Sequence, residues 1–152
     1  MMTQFRKMLP DDEKTVVSMM QTFYNSSAVS TNGSDEIFHK DFSACISDNP
    51  YIEGFVILDN LETAGYAMLA KSFCTEFGKP CVWIEDIYIL PGHRGKGLAT
   101  AFINSIKEKY LDSVIRLEVE DDNINAISVY KKCGFTHLPY KEMIFTGGAP
   151  ND

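Results

Sequence analysis

The apolar positions along this chain follow two periods, and each period predicts a different kind of element. Residues 98–111 carry apolar side chains at the i, i+3, i+4, i+7 and i+11 spacing of one helix face. These side chains are Ala99, Phe102, Ile103, Ile106 and Tyr110. Residues 82–90 are instead rich in β-branched and aromatic side chains and end at a Pro-Gly pair, which is typical of a long strand.

The same patterns divide the rest of the chain. Helices are predicted at residues 11–24 and 35–46, and a further helix, capped within residues 121–123, is predicted to run to residue 132. Strands are predicted at residues 4–9, 53–58, 63–73 and 114–119, with closing strands at Phe135 and residues 141–145. The strand–helix–strand order over residues 82–119 implies a parallel pair with a right-handed crossover, whereas the earlier meander implies antiparallel pairing. We therefore expect an α/β (α+β) fold, with residues 1–152 forming a single domain.

Composition narrows the class of protein. The 152 residues have a formal net charge of −7, with 45% hydrophobic and 23% charged residues, a mix typical of a globular domain. This acidic balance argues against general nucleic-acid binding and weakly favours a cationic small molecule. The chain has no apolar run long enough for a membrane helix, and residues 1–14 lack the pattern of a secretory signal. We expect a cytoplasmic protein that does not bind membranes.

Cysteine spacing gives no sign of a metal or redox site. Cys45, Cys74, Cys81 and Cys133 form no CxxC pair, and no histidine lies at a metal-ligand spacing from them. We expect four reduced, mostly buried thiols and no bound metal.

A glycine-rich turn between the long strand and the helix of residues 98–111 is the sharpest chemical signal. Here Arg94, Gly95, Lys96 and Gly97 lead directly into the helix. The first N–H groups of a helix lack internal partners and carry partial positive charge, while glycine allows a phosphate to approach the backbone closely. The turn is therefore a candidate binding site for a pyrophosphate.

Two phosphate-binding motifs can be compared with this turn. The GxxxxGK[S/T] motif of a P-loop is absent. The GxGxxG motif of a dinucleotide site is matched except for Thr100 at the third glycine, and Glu118 follows near the place of a ribose-binding acid. That fold needs several βαβ units, which the first 80 residues do not supply.

Two motifs in register resemble those of the GNAT superfamily of N-acetyltransferases. The segment from Arg94 to Ala99 matches the family's [R/Q]-x-x-G-x-[G/A] signature, and Pro91 precedes it as in the family. Downstream, Asn123, Ala126, Tyr130, Lys132, Gly134 and Phe135 match N-x-x-A-x-x-x-Y-x-K-x-G-F. The resemblance covers residues 82–135, and the stretch Ile-Glu-Asp-Ile-Tyr-Ile is similar to the polyamine and diamine acetyltransferase branch.

The resemblance implies a mixed twisted sheet, flanked by helices, in which two parallel strands splay apart to bind acetyl-CoA. Backbone groups of Ile87, Tyr88 and Ile89 would pair with the pantetheine arm. The pyrophosphate would lie on the turn and first helical residues: Arg94, Gly95, Lys96, Gly97, Leu98, Ala99 and Thr100. Asn123, Asn125 and Ala126 would contact acetyl-CoA from the other strand.

Two residues acquire catalytic roles from the same resemblance. Tyr130 would be the general acid that protonates the leaving thiolate, and Glu85 would help to take a proton from the acceptor amine, directly or through water. Strand alternation places Glu85 and Asp86 on opposite faces of the sheet unless a bulge intervenes.

The expected activity is acetyl-CoA-dependent acetylation of a primary amine by direct attack, with a small cationic amine as the acceptor. A homodimer is implied by the resemblance alone. Two other hypotheses stay open: a non-catalytic acyl-CoA-binding regulatory module of the same fold, and a dinucleotide-binding protein of Rossmann type.

Overall fold

The computed structural model describes residues 2–29 and 33–148. Within them the strands are β1 (Thr3–Lys7), β2 (Ile52–Asp59), β3 (Glu62–Cys74), β4 (Lys79–Ile89) and β5 (Val114–Leu117). The α-helices are α1 (Glu13–Tyr24), α2 (Asp35–Cys45), α3 (Leu98–Lys109) and α4 (Ile124–Lys132). A short 3₁₀ turn at Pro10–Asp12 leads directly into α1. A second one, at Pro91–His93, is followed by residues 94–97 and then by α3.

The strands form a mixed sheet in the order β1-β2-β3-β4-β5. The first four strands pair antiparallel, and β4 pairs parallel with β5. This confirms the expected α/β class, with an antiparallel meander followed by one parallel pair. A dinucleotide-binding fold of Rossmann type needs a mostly parallel sheet, so that hypothesis does not fit this topology.

Both faces of the sheet are covered by helices, which gives the domain two apolar cores. Helices α1 and α2 pack on one face through Val16, Met20, Phe38 and Phe42, together with Tyr66 of β3. Helix α3 packs on the other face through Leu98, Phe102, Ile103 and Ile106, and α4 adds Val129 and Tyr130 at its edge. The apolar stripe predicted for residues 98–111 therefore faces the core, as its spacing requires. No helix within residues 2–29 or 33–148 is long and apolar enough to cross a membrane.

The predicted closing strands at Phe135 and residues 141–145 are wrong for the structure described here. Residues 135–147 have no regular secondary structure, and Met143, Ile144 and Phe145 are 98%, 87% and 92% exposed. A cleft of about 770 Å³ is lined on one side by β5 and on the other by Leu138 and Tyr140. Strand propensity becomes a strand only where a neighbouring edge supplies hydrogen bonds, and this segment stands apart from β5.

Candidate active site

The parallel strands β4 and β5 separate soon after they meet. Their pairing runs only from Cys81 opposite Val114 to Ile84 opposite Leu117, while β4 continues to Ile89. The register between β3 and β4 slips at this point, because Met68 lies opposite Asp86 and Leu69 opposite Ile84, which leaves Glu85 as the extra residue of a β-bulge. A bulge bends a strand and increases its twist, so it contributes to the divergence. The result is the splayed opening that the sequence motifs imply.

The pairing of β4 with β3 decides which backbone groups face this opening. The Leu90 N–H donates to the Ala64 carbonyl at 2.7 Å. Opposed residues of an antiparallel pair alternate between hydrogen-bonded and non-hydrogen-bonded pairs, so Tyr88 also turns its N–H and C=O towards β3. Ile87 and Ile89 therefore turn their backbone groups towards the opening.

The glycine-rich turn lies where this edge of β4 leads into α3. Gly95 and Gly97 have φ values of 77° and 78°, a left-handed conformation that side chains with a Cβ disfavour. Gly97 is the N-cap of α3, and a Cβ added at either glycine would meet no atom within 4 Å. Leu98 is buried and holds the helix against the core. The first N–H groups of α3 receive no side-chain cap, and they carry the partial positive charge of a helix N-terminus.

The basic side chains of the turn are folded back onto the protein. The Lys96 ammonium donates to Oδ2 of Asp59 at 3.0 Å, and His93 Nδ1 lies 2.9 Å from the same oxygen. These two contacts lower the pKa of Asp59. Arg94 donates from Nε to the Ile89 carbonyl at 2.8 Å, with its guanidinium 5.5 Å from the centre of the Tyr88 ring. The backbone of the turn, more than its side chains, thus faces the opening.

Glu85, the bulged residue of β4, lies at the point where β4 and β5 begin to separate. The residue as a whole is exposed, but its carboxyl is partly desolvated. This desolvation raises the pKa of Glu85, and the nearby charges of Asp86, Asp41 and Glu142 raise it further. A carboxylate with a raised pKa is a stronger proton acceptor near neutrality than an ordinary glutamate.

Tyr130 lies on α4, on the β5 side of the opening. It is half-buried, with its ring centre 6.1 Å from that of Phe135, and it lines the cleft together with Leu117 and Glu118. Burial raises the pKa of Tyr130, so the phenol keeps its proton at neutral pH. The side chain can therefore donate a proton.

The first turn of α4 holds the remaining residues with a predicted role. Asn123 is the N-cap, and its Oδ1 accepts a hydrogen bond from the Ala126 N–H at 3.3 Å. This confirms the predicted helix start and occupies the Asn123 side chain with capping. Asn125 is exposed and Ala126 is half-buried.

A buried carboxylate that the sequence interpretation left without a role lies behind Glu85. Asp86 is only 4% exposed and accepts hydrogen bonds from the Tyr66 hydroxyl at 2.7 Å and the Tyr24 hydroxyl at 2.9 Å. Burial raises the pKa of Asp86, although both tyrosine hydrogen bonds oppose this effect. The sequence signal for Asp86 is an acidic residue within an apolar strand. The bulge at Glu85 decides which face of the sheet Asp86 occupies.

Two further carboxyls meet at the edge of the cleft. Glu118, just beyond β5, shares a hydrogen bond with Glu142, and this contact together with partial burial raises the pKa of Glu118 to about 7. Glu85 lies close enough to contribute to the same shift. The carboxyl group of three, made by Glu85, Glu118 and Glu142, concentrates negative charge where β4 and β5 begin to separate.

The Glu118–Glu142 contact predicts a pH-dependent stability. The unfolded chain binds the Glu118 proton less tightly than the folded protein, so stability falls as pH rises from the ordinary glutamate value, roughly 4.3, towards the folded value of about 7. In Glu142→Gln the loss of melting temperature between these pH values should be smaller than in the unchanged protein. Thermal unfolding across this range tests it, with Glu120→Gln as a control that removes one charge nearby. An equal loss in all three proteins would contradict the assigned contact.

The splayed parallel strands and the glycine turn at a helix N-terminus define an acetyltransferase fold. The model described as "Acetyltransferase (GNAT) family" matches residues 17–135, and the chain belongs to this family. The family predicted from the two sequence motifs is thereby confirmed.

Individual relatives agree with this assignment. The chain is 30% identical over 145 residues to a thialysine N-epsilon-acetyltransferase of Caenorhabditis elegans, covering 90% of this chain and 85% of that protein. It is 36% identical over 81 residues to the enzyme of that name from Bos taurus, covering 51% of this chain and 47% of that protein, so it spans about half the length of that relative. A possible acetyltransferase from Clostridium difficile 630 has the same fold, with a TM-score of 0.80 at 18% identity over 98% of this chain and 100% of that one.

Proposed function

We propose that this protein is an acetyl-CoA-dependent N-acetyltransferase whose acceptor is a small cationic primary amine. One observation carries the proposal: the open edge of β4 leads through the glycine turn to the N-terminus of α3, which has no side-chain cap. An extended arm with a diphosphate at its end matches this arrangement. The arm would add to the strand edge, and the diphosphate would meet the helix N-terminus.

The geometry supports a specific division of the binding contacts. Ile87 and the Ile89 N–H would hydrogen-bond the amides of the pantetheine arm, since the Ile89 carbonyl already accepts from Arg94. The Tyr88 backbone, expected from the resemblance to do the same, faces β3 instead. The pyrophosphate would accept hydrogen bonds from backbone N–H groups between Gly95 and Thr100. Asn125 and Ala126, on the first turn of α4, would contact acetyl-CoA from the opposite side.

The proposed reaction is a direct transfer. The amine nitrogen attacks the thioester carbonyl, a C–N bond forms and the C–S bond breaks. The Ile87 N–H would stabilise the negative charge that develops on the carbonyl oxygen. Glu85 would receive the proton that the amine releases, directly or through water, and Tyr130 would protonate the departing thiolate.

Local charge and the names of similar proteins support a cationic amine as the acceptor. The carboxyl group of three lies where β4 and β5 begin to separate, and the chain as a whole has a net charge of −7. The names of the thialysine N-epsilon-acetyltransferases describe transfer to an amine. A small cation would be attracted into this opening and oriented there by the carboxylates.

A panel of amines tests the proposed activity. We expect CoA thiol release from acetyl-CoA with at least one polyamine or amino acid that carries a free side-chain amine. An aminoglycoside and a peptide with a free N-terminus complete the panel. Binding of acetyl-CoA without thiol release on any amine would instead support a non-catalytic acyl-CoA-binding module. If acetyl-CoA does not bind at all, both the N-acetyltransferase and the acyl-CoA-binding module are excluded.

Two further expectations, on the oligomeric state and on the cellular location, extend the proposal. Resemblance to the family supports a homodimer, and the proposal includes a cytoplasmic location. Light scattering coupled to gel filtration would test the first, since a monomeric mass contradicts it. Cell fractionation would test the second.

The role of Glu85 predicts a pH-dependent loss of activity. In Glu85→Gln, kcat/KM for the amine should fall about tenfold at mildly acidic pH, where the acceptor is protonated and needs a base. The loss should shrink as pH rises, because more of the amine is then already deprotonated. A pH–rate profile measures this, with the exposed Glu108→Gln as a charge-matched control. A small loss that is the same at every pH would mean that Glu85 has only a packing role.

A further inference from the structure

A buried carboxylate outside the proposed catalytic group contacts the glycine turn from the β2–β3 hairpin. Asp59 is the last residue of β2 and is 2% exposed. Its Oδ2 lies 2.9 Å from His93 Nδ1 and accepts from the Lys96 ammonium at 3.0 Å. The two partners lie on either side of Arg94 and Gly95, so one carboxylate holds both flanks of the turn.

Asp59 itself has a rigid position. It pairs with Thr3 of β1 and with Glu62 of β3. The next two residues, Asn60 and Leu61, close the β2–β3 hairpin with φ values of 51° and 71°. A residue held between two neighbouring strands moves little, so it can act as a fixed anchor for a turn that is 34 or more positions away in sequence.

A buried carboxylate is costly unless it is hydrogen-bonded or paired with a cation, and His93 and Lys96 supply these contacts to Asp59. Oδ1 of Asp59 is buried without a hydrogen-bond partner, so the charge depends on the contacts at Oδ2. These contacts also draw Lys96 away from the opening. The turn then presents its backbone N–H groups outward, while its two left-handed glycines would otherwise leave it free to sample other conformations.

We propose that Asp59 is a positioning residue that preorganises the glycine turn to receive the pyrophosphate of acetyl-CoA. It acts through His93 and Lys96 and does not touch the substrate. This inference rests on the proposed function, because it assumes that the turn binds the pyrophosphate. Preorganisation matters because a mobile turn would have to be ordered each time acetyl-CoA binds.

Two acetyl donors separate this role from a general structural one. S-Acetylpantetheine carries the thioester and the arm but has no pyrophosphate. In Asp59→Asn, kcat/KM for acetyl-CoA should fall about tenfold, in the range expected for weakening a charge-assisted hydrogen bond, while kcat/KM for S-acetylpantetheine stays unchanged. Glu62→Gln is the matched control on the same hairpin, since Glu62 is exposed and lies 3.9 Å from His93. It should leave both values unaltered.

Each other outcome counts against a defined part of the inference. If Asp59→Asn lowers both kcat/KM values equally, or neither, Asp59 does not position the turn and the inference fails. If the unchanged protein uses acetyl-CoA no better than S-acetylpantetheine, the proposed pyrophosphate site fails and the inference fails with it. Both values are measured at a temperature at which thermal unfolding shows Asp59→Asn to be folded, so a loss on both donors does not come from unfolding.

Discussion

Replacing Tyr130 by phenylalanine is expected to lower kcat about 100-fold while changing the Kd of acetyl-CoA by less than about twofold, because general acid catalysis contributes at least this much to typical enzymes. The substitution keeps the ring that packs near Phe135 and removes only the hydroxyl. The thiolate would then have to take its proton from water. Steady-state kinetics with the best amine of the panel, together with titration of acetyl-CoA, measures the two quantities.

The choice of Tyr130 can be checked against another phenol in the same cleft. Tyr140 also lines the cleft, and its hydroxyl donates to Glu76 at 2.8 Å. We expect Tyr140→Phe to keep kcat near that of the unchanged protein. If Tyr130→Phe is as active as Tyr140→Phe, Tyr130 is a packing residue and another group supplies the proton.

The second large effect is expected at Gly95. In Gly95→Ala, KM for acetyl-CoA should rise about 30-fold, because the added Cβ disfavours the left-handed backbone by roughly 1–2 kcal/mol and stands between the turn and the phosphate. The φ of Gly95 is 77°, and a Cβ added at this position would meet no other protein atom within 4 Å. The cost therefore arises from backbone strain and from lost phosphate contact, not from a clash within the protein.

Gly78 offers a matched control for this substitution. It has a φ of 62° in the turn between β3 and β4, and an added Cβ there also meets no atom within 4 Å. Gly78→Ala should lower the melting temperature about as much as Gly95→Ala, but it should leave KM for acetyl-CoA unaltered. A similar rise of KM in both variants would attribute the effect to strain alone and would weaken the assignment of the turn as a phosphate site.

Local sequence was sufficient for the elements that build the opening. The strand at residues 82–90, the glycine turn and the helix starting at Leu98 were predicted close to their observed bounds. The reason is that each depends on neighbouring residues: apolar periodicity, glycines that permit positive φ, and the lack of a capping side chain at Gly97. The family motifs span the same segment, so fold class and family could both be predicted.

The same reasoning failed where a strand needs a partner. Residues 141–145 have strand propensity, yet they remain exposed because no edge of the described sheet pairs with them. Strand alternation alone does not decide whether a bulge occurs at Glu85, because the bulge depends on the register between β3 and β4. This bulge determines that Asp86 faces Tyr24 and Tyr66.

The amino-acid sequence by itself determined the glycine turn, the long strand before it and the amphipathic helix after it, because these follow from the conformational preferences of adjacent residues. Only the tertiary structure decided that Asp59 holds Lys96 from 37 positions away and that Glu118 meets Glu142. Contacts of this kind depend on strand register and on the packing of distant segments. Periodicity along a chain carries no information about either.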